Sequence, residues 1–188
     1  MSELSSVCVF CGSKTGRDSR HTGAARQLGQ RIAAEGCELV YGAGSIGLMG
    51  IIANSVSDAG GRVAGIIPQF LDEWEVGRRH SDEFVVTDSM HQRKQLMSER
   101  ADAFIVLPGG LGTLDETFEI VTWKQLRLHD KPIVILNVAG YWDRFVTLVD
   151  GMVAEGFVAE KHRQLFTIVD QVDEVFPTIR QLVAEKET

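Results

Sequence analysis

Two short segments of the chain combine glycines, acids and cations at spacings that could support chemistry. In the first, Pro108-Gly109-Gly110 ends an apolar run and is followed by Asp115 and Glu116 in an amphipathic pattern. A strand that turns sharply into a helix leaves backbone N–H groups unpaired, and glycine lets an anion approach them closely. The segment therefore predicts a phosphate-binding turn with a carboxylate beside it.

The second segment, Asp88-Ser-Met-His-Gln-Arg-Lys94, places Arg93 and Lys94 near the start of a predicted helix. Two adjacent cations oppose the helix dipole there, which favours an anionic partner. A capping box formed by Ser89 and Gln92 explains the helix start, and a solvated basic pair is the alternative for the two cations.

Capping also offers a second explanation for part of the glycine segment. Thr113 and Glu116 have the spacing of a capping box. Capping does not require Gly109, Gly110 and Gly112 in front of them, and these glycines indicate that a ligand approaches the backbone. Carboxylates beside an anion site would repel the anion unless one faces a group that becomes positive. A ribosyl oxocarbenium, formed when a base leaves C1′, is such a group.

Alternating strands and helices would position these segments. Apolar runs predict strands at residues 7–11, 39–41, 63–67, 84–87, 103–107, 133–136 and 166–169. Helical patterns surround Leu28 and Ile52 and cover residues 89–100, 113–128, 141–155 and 172–184, whereas residues 69–83 read as a surface loop or lid with one helical turn. The order predicts an α/β, Rossmann-like fold with a mainly parallel sheet, helices on both faces and a single domain over residues 1–188. Ligands are expected at the carboxyl ends of the strands.

A third glycine pattern resembles a dinucleotide fingerprint. Gly42, Gly44 and Gly47 spell G-x-G-x-x-G between a predicted strand and helix. An acid that binds the ribose should follow about 20 residues later, but that stretch reads Ile66-Ile-Pro-Gln69. We therefore expect a turn that makes room for a ligand or for close helix packing, not an NAD site.

Composition excludes several classes of partner. The 188 residues carry a formal net charge of −7, so no general field attracts nucleic acid or an anionic membrane. A phosphorylated ligand would need a local cationic pocket. Because no apolar run reaches transmembrane length and the first residues lack a signal-peptide pattern, we expect a cytoplasmic protein.

Neither the cysteines nor the histidines form a site of their own. Cys8 and Cys11 match C-x-x-C, but in a strand-like run this spacing directs them to opposite faces, which predicts two buried thiols. The 5 histidines are scattered without H-x-x-x-H, so no metal is expected.

Both chemical segments match the motifs of a known family. The first matches P-G-G-x-G-T-x-x-E and the second matches M-H-x-R-K, and together they resemble the Lonely Guy (LOG) family of cytokinin riboside 5′-monophosphate phosphoribohydrolases. The likeness extends from Val7-Cys-Val-Phe-Cys-Gly-Ser13 through the G-x-G-x-x-G segment to His129-Asp-Lys-Pro132. One departure is Ala43, which stands where the family commonly has a glycine.

The resemblance implies a Rossmann-like enzyme, usually dimeric, that hydrolyses the N-glycosidic bond of N6-modified adenosine 5′-monophosphates, with AMP cleaved to varying extents. It implies no cofactor. Arg93 and Glu116 would be the catalytic pair, and the residues contacting the nucleotide would include Glu75, Lys94, Gly110, Leu111, Gly112, Thr113, Leu114, Asp115 and Thr122. Ser13 and Gly44 are expected to line the same cavity.

Two alternatives to the hydrolase remain. A non-catalytic nucleotide carrier or sensor would use the same fold, as in proteins resembling molybdenum-cofactor carriers. A lysine decarboxylase, a name given to some relatives, would need pyridoxal phosphate bound to a lysine, and no lysine here has that context.

Overall fold

A single sheet of seven parallel strands organises the computed structural model, which describes residues 4–72 and 82–186. The strands are β1 Ser6–Phe10, β2 Glu38–Tyr41, β3 Val63–Pro68, β4 Glu83–Thr87, β5 Ala103–Val106, β6 Ile133–Leu136 and β7 Thr167–Val169. The helices are α1 Ser19–Ala34, α2 Gly47–Asp58, α3 Gln69–Asp72, α4 Met90–Arg100, α5 Leu111–Gln125, α6 Asp143–Ala154 and α7 Val172–Ala184, with short 3-10 turns at Val138–Gly140 and Glu160–Leu165. The predicted α/β, Rossmann-like class is confirmed.

The strand order is β4-β3-β2-β1-β5-β6-β7, so the order reverses at β1. Cys8 of β1 pairs with Val40 of β2 on one side and with Phe104 of β5 on the other. In doubly wound sheets ligands bind where the strand order reverses. The turns that follow β1 and β5 therefore leave the sheet side by side at the expected binding edge.

Strands β1, β3, β5 and β6 are buried along their whole length because both faces of the sheet are covered there. One face packs against α1, α2 and α7 through residues such as Leu28, Ile52 and Phe176. The other packs against α4, α5 and α6 through Met97, Ile120 and Phe145. Helices on both faces are what the alternating sequence predicted.

The two cysteines of the C-x-x-C pattern lie as predicted. Cys8 belongs to the core on the α5 side, whereas Cys11 belongs to the core on the α1 side. Both are buried free thiols.

The loop predicted at residues 69–83 contains the expected helical turn, which is the short helix α3, and residues 73–81 lie outside the described residues. Helix α5 begins at Leu111, two residues before the predicted start. Among the helices in the described ranges, none has the length and apolarity that crossing a membrane requires.

We expect Gly23→Ala and Gly29→Ala, the same change at two positions of α1, to alter stability in opposite directions. A Cβ at Gly29 would lie 2.7 Å from Ser55 Cβ and 2.8 Å from the Ile52 carbonyl oxygen of α2, whereas at Gly23 no described atom lies within 4 Å. Alanine gains about 0.5–1 kcal/mol over glycine inside a helix, so Gly23→Ala should raise the free energy of unfolding. Gly29→Ala should lower it by about 1–3 kcal/mol because α1 and α2 must move apart. Urea unfolding measures both changes, and equal effects would show that the close helix contact is not needed.

Candidate active site

The turns after β1 and β5 border a cavity of about 550 Å³. The cavity brings together most of the predicted site residues, namely Arg93, Gly110, Leu111, Gly112, Thr113, Asp115 and Glu116, and also Ser13. Lys94, Leu114, Thr122 and Gly44 are not among the described residues that line it. Glu75 lies outside the described residues.

The turn between β5 and α5 presents backbone donors to this cavity. Gly110 is the N-cap of α5, and the Leu114 N–H donates to the Gly110 carbonyl at 3.1 Å. The N–H groups of Leu111, Gly112 and Thr113 precede it, and such first-turn donors have no partner within their own helix. Such a helix start favours an anion such as phosphate.

The glycines of this turn have two different roles. A Cβ at Gly109 would lie 2.0 Å from Thr113 Oγ1, so the turn could not close with a side chain there. At Gly110 and Gly112 no described atom lies within 4 Å of a Cβ position, so these two residues adjoin open space. The first glycine allows tight folding and the other two leave the donors accessible.

The capping-box explanation of Thr113 and Glu116 is wrong. Because α5 starts at Leu111, Thr113 lies inside the first turn and is 4% exposed. Among the described side chains none caps this helix. In α4 the Ser89 cap is confirmed, because the Gln92 N–H donates to Ser89 Oγ at 3.2 Å, but the Gln92 side chain accepts from the Asp88 N–H at 2.8 Å and not from the Ser89 N–H.

The loop after β1 forms the facing wall of the cavity. Its Gly12 N–H donates to the Pro108 carbonyl at 3.0 Å, which ties this loop to the β5 turn. Lys14 lines the cavity and is exposed. It supplies the local cation that a phosphate ligand would need in a chain of net negative charge.

Arg93 and Glu116 form a buried ion pair in this cavity. Arg93 Nη2 lies 3.5 Å from Glu116 Oε1, and the two residues are 7% and 9% exposed. A Cβ at Gly42 would lie 1.9 Å from Arg93 Nη2, so the guanidinium needs glycine at that position. Arg93 Nε is buried and has no hydrogen-bond partner among the described residues.

The environment of Glu116 changes its acidity. Burial raises the pKa of Glu116 from its ordinary value of 4.5 to about 7, although the charge of Arg93 lowers it. Asp115 and Glu119 raise the pKa further, and Lys94 opposes them. A carboxylate with this pKa can accept a proton near neutral pH, as a general base must.

Lys94 points to the neighbouring helix. Its Nζ lies 3.1 Å from both Asp115 Oδ2 and Glu119 Oε2 of α5. Burial disfavours the charge of Lys94, but the two carboxylates outweigh it and raise its pKa. In this arrangement Lys94 joins α4 to α5, and Thr122 lies exposed further along α5.

The G-x-G-x-x-G segment packs against the chain itself. The N–H groups of Leu48 and Met49, at the start of α2, donate to the Gly12 carbonyl at 3.0 and 3.3 Å. A Cβ at Gly47 would lie 2.2 Å from the Ser13 carbonyl carbon. This geometry agrees with close packing and leaves no space for a pyrophosphate at that helix start. The departure at Ala43 has a φ of 61°, a conformation that favours glycine.

Sequence reasoning missed several residues of the cavity. Tyr141, which follows β6, donates its hydroxyl to the Gly109 carbonyl at 2.5 Å. Its ring and that of His21 pack edge to face, with their centroids 5.4 Å apart. Met49, Met90 and Leu71 supply apolar lining. The position of Tyr141 after a strand end was an available signal, whereas apolar residues in helical patterns look like core.

The described part of the chain shows no evident metal site. No three His, Cys, Asp or Glu side chains within residues 4–72 and 82–186 lie close enough together to hold a metal ion.

Solved structures with the same fold include two proteins of molybdenum-cofactor handling. The molybdenum cofactor carrier protein of Chlamydomonas reinhardtii superposes with a TM-score of 0.71 and 22% identity, over 96% of this chain and 99% of that one. The molybdenum cofactor binding protein of Rippkaea orientalis gives a TM-score of 0.72 and 21% identity, over 97% and 99%. At these identities the likeness concerns the fold alone.

Comparison with proteins of similar sequence is more specific about the family than the likeness in fold. A family model described as "Possible lysine decarboxylase" matches residues 49–179. The cytokinin riboside 5′-monophosphate phosphoribohydrolase LOG of Oryza sativa subsp. japonica is 44% identical over 181 residues, covering 96% of this chain and 72% of the relative. The corresponding LOG2 of Arabidopsis thaliana is 41% identical over 177 residues, covering 94% and 83%. With the two motifs gathered in one cavity, these similarities show that the chain belongs to the LOG family of cytokinin riboside 5′-monophosphate phosphoribohydrolases.

Proposed function

We propose that the protein hydrolyses the N-glycosidic bond of N6-modified adenosine 5′-monophosphates of the cytokinin riboside type, with AMP as a second candidate substrate. The products are the free base, an active cytokinin, and ribose 5-phosphate. The observation that carries the proposal is the buried Glu116 carboxylate, which follows the open N–H groups of residues 111–113 along one helix. That spacing allows the ribose of a bound nucleotide to lie between the phosphate-binding N–H groups and the Glu116 carboxylate.

The 5′-phosphate is the group by which the protein binds and positions the substrate. Donors at Gly110, Gly112 and Thr113 bind the 5′-phosphate, with Lys14 supplying positive charge nearby. Holding this remote group positions the sugar, and its binding energy can act at the reacting carbon. A nucleoside without the phosphate lacks that contribution.

Glu116 acts where the bond breaks. The electron pair of the C1′–N9 bond leaves with the base, which takes up a proton, and C1′ gains positive charge. The Glu116 carboxylate stabilises this charge and accepts a proton from the attacking water, whose oxygen bonds to C1′. A pKa of about 7 suits this exchange at neutral pH.

Arg93 holds the acid and the substrate. Its guanidinium lies 3.5 Å from Glu116, favours the ionised carboxylate and keeps it in place. Because Arg93 lines the cavity, its guanidinium is a donor for a ribose hydroxyl or for the base. Because arginine stays charged, Arg93 is not the proton donor to the base.

We further propose a cytoplasmic homodimer with residues 1–188 as one domain. Leu126 and Leu128, just after α5, are 62% and 69% exposed and provide apolar surface for a second copy. Trp142, which follows Tyr141 in the chain, is 4% exposed and belongs to the core, so it offers no surface for such a contact. Three free thiols suit a reducing compartment.

Release of free base from AMP and isopentenyladenosine monophosphate tests the proposal. The wild-type protein should release base, and Glu116→Gln and Arg93→Ala should each lower kcat/KM by about 10²–10⁴-fold because they remove the acceptor and its partner. Glu99→Gln, a matched acid-to-amide change at an exposed position of α4, should behave as wild type. Tight nucleotide binding without release would instead establish the carrier, and full activity in either site variant would remove the role assigned to it.

Removal of the substrate phosphate should cost most of the activity. We expect kcat/KM for adenosine to be at least about 100-fold below that for AMP, because the amide-lined turn then has no ligand. Chromatographic measurement of adenine from both substrates supplies the ratio. Equal turnover would exclude the α5 turn from the mechanism.

Activity should rise with pH as Glu116 ionises. With a pKa of about 7, the ionised fraction and hence kcat/KM should increase about tenfold between roughly pH 6 and pH 8. Initial rates at substrate concentrations far below KM measure this profile. A profile that is flat over this range would contradict the assignment of Glu116 as the base.

Stability provides an independent check on the same group. The unfolded chain releases this proton near pH 4.5 and the folded protein only near pH 7, so the folded state binds more protons between these values. The free energy of unfolding should therefore fall over this interval, by roughly 2–3 kcal/mol from Glu116. Glu116→Gln should lack that contribution.

A further inference from the structure

Tyr141 contacts the β5–α5 turn although it belongs to neither sequence motif. It lines the cavity, and its hydroxyl donates to the Gly109 carbonyl at 2.5 Å. We propose that Tyr141 is a positioning residue that orients the Gly109–Gly110 peptide so that the Gly110 N–H is ready to bind the substrate phosphate. This inference rests on the proposed function, because it assumes that the turn holds a phosphate.

Gly109 and Gly110 cannot by themselves fix the orientation of the peptide group between them. Neither residue carries the Cβ that restricts backbone angles in other residues, so the peptide between them can rotate at low cost. The peptide is planar and trans, which directs the Gly109 C=O and the Gly110 N–H to opposite sides. A donor that holds the oxygen of Gly109 therefore also fixes the direction of the Gly110 N–H.

The preceding peptide already has its own anchor. The Gly12 N–H donates to the Pro108 carbonyl at 3.0 Å, from the loop after β1. Tyr141 provides the corresponding bond for the next carbonyl, from the segment after β6. The Pro108 carbonyl is thus bonded by the segment after β1 and the Gly109 carbonyl by the segment after β6, and β1 and β6 are the two neighbours of β5.

Tyr141 is itself held in place. Its ring packs edge to face with the rings of His21 and Trp142, at centroid distances of 5.4 and 4.9 Å. His21 and Trp142 are themselves 7% and 4% exposed. The chain reaches Tyr141 through two left-handed residues, Ala139 with φ 58° and Gly140 with φ 71°. A tyrosine fixed in this way can order the glycine peptide before the ligand arrives, which improves affinity by reducing the ordering left for the binding step.

Tyr141→Phe tests the proposal, since it keeps the ring and its packing and removes only the hydroxyl. We expect the Kd for ribose 5-phosphate to rise about three- to tenfold, the effect of one hydrogen bond, while the Kd for adenine stays unchanged. Calorimetric titration of both ligands into the same preparation makes the ratio of the two Kd values independent of any loss of folded protein. In turnover of AMP, the same variant should raise KM by a similar factor with little change in kcat.

Thr147→Val is the matched control. Its hydroxyl also donates to a backbone carbonyl, that of Asp143 at 3.0 Å, but on the exposed side of α6. The control should leave both Kd values at their wild-type levels.

Three results would overturn the inference. A Tyr141→Phe protein that binds ribose 5-phosphate as wild type does would show that the hydroxyl does not position the turn, with the proposed function intact. A parallel rise of both Kd values would show a general structural role. A wild-type protein that releases base but does not bind ribose 5-phosphate would remove the phosphate site, and this inference with it, while hydrolysis itself stands.

Discussion

A carboxylate removed from water, with one guanidinium 3.5 Å away, is the interaction on which the rest of this site depends. Moving an ion out of water costs several kcal/mol unless close partners compensate. Arg93 compensates in part, and Glu116 responds with a pKa raised to about 7. The pair requires α4 and α5 to keep their spacing, and Lys94 contributes by bonding to Asp115 and Glu119 across the two helices. It also requires the absence of a side chain at Gly42.

Two glycine-rich turns stand at the same edge of the sheet, and the chain uses them differently. At the start of α2 the donors of Leu48 and Met49 are occupied by the Gly12 carbonyl. At the start of α5 the first-turn donors adjoin the cavity. Helix starts attract anions in general, but neighbouring packing decides which of them remains open. Here the loop after β1 determines which helix start remains open, because it fills the turn before α2 and only borders the turn before α5.

The parallel sheet explains where a ligand binds and leaves the reaction to a few side chains. Reversal of the strand order at β1 opens a crevice between neighbouring turns. The same architecture serves proteins of other functions, so the fold alone does not define a chemistry. The buried acid, its arginine partner and the amide-lined turn are what turn this crevice into a candidate site for breaking a glycosidic bond.

The sequence by itself determined the strand and helix order, the parallel sheet and the two segments that carry Arg93 and Glu116, because periodicity and short motifs are local properties of the chain. It placed Cys8 and Cys11 on opposite faces for the same reason. It did not determine where α5 begins, and so it left a capping box open as an explanation for Thr113 and Glu116. Only the tertiary structure decided that Glu116 is buried against Arg93, that the α2 turn is filled, and that Tyr141 reaches Gly109 from the segment after β6. Those facts depend on contacts between residues distant in sequence, which no local pattern records.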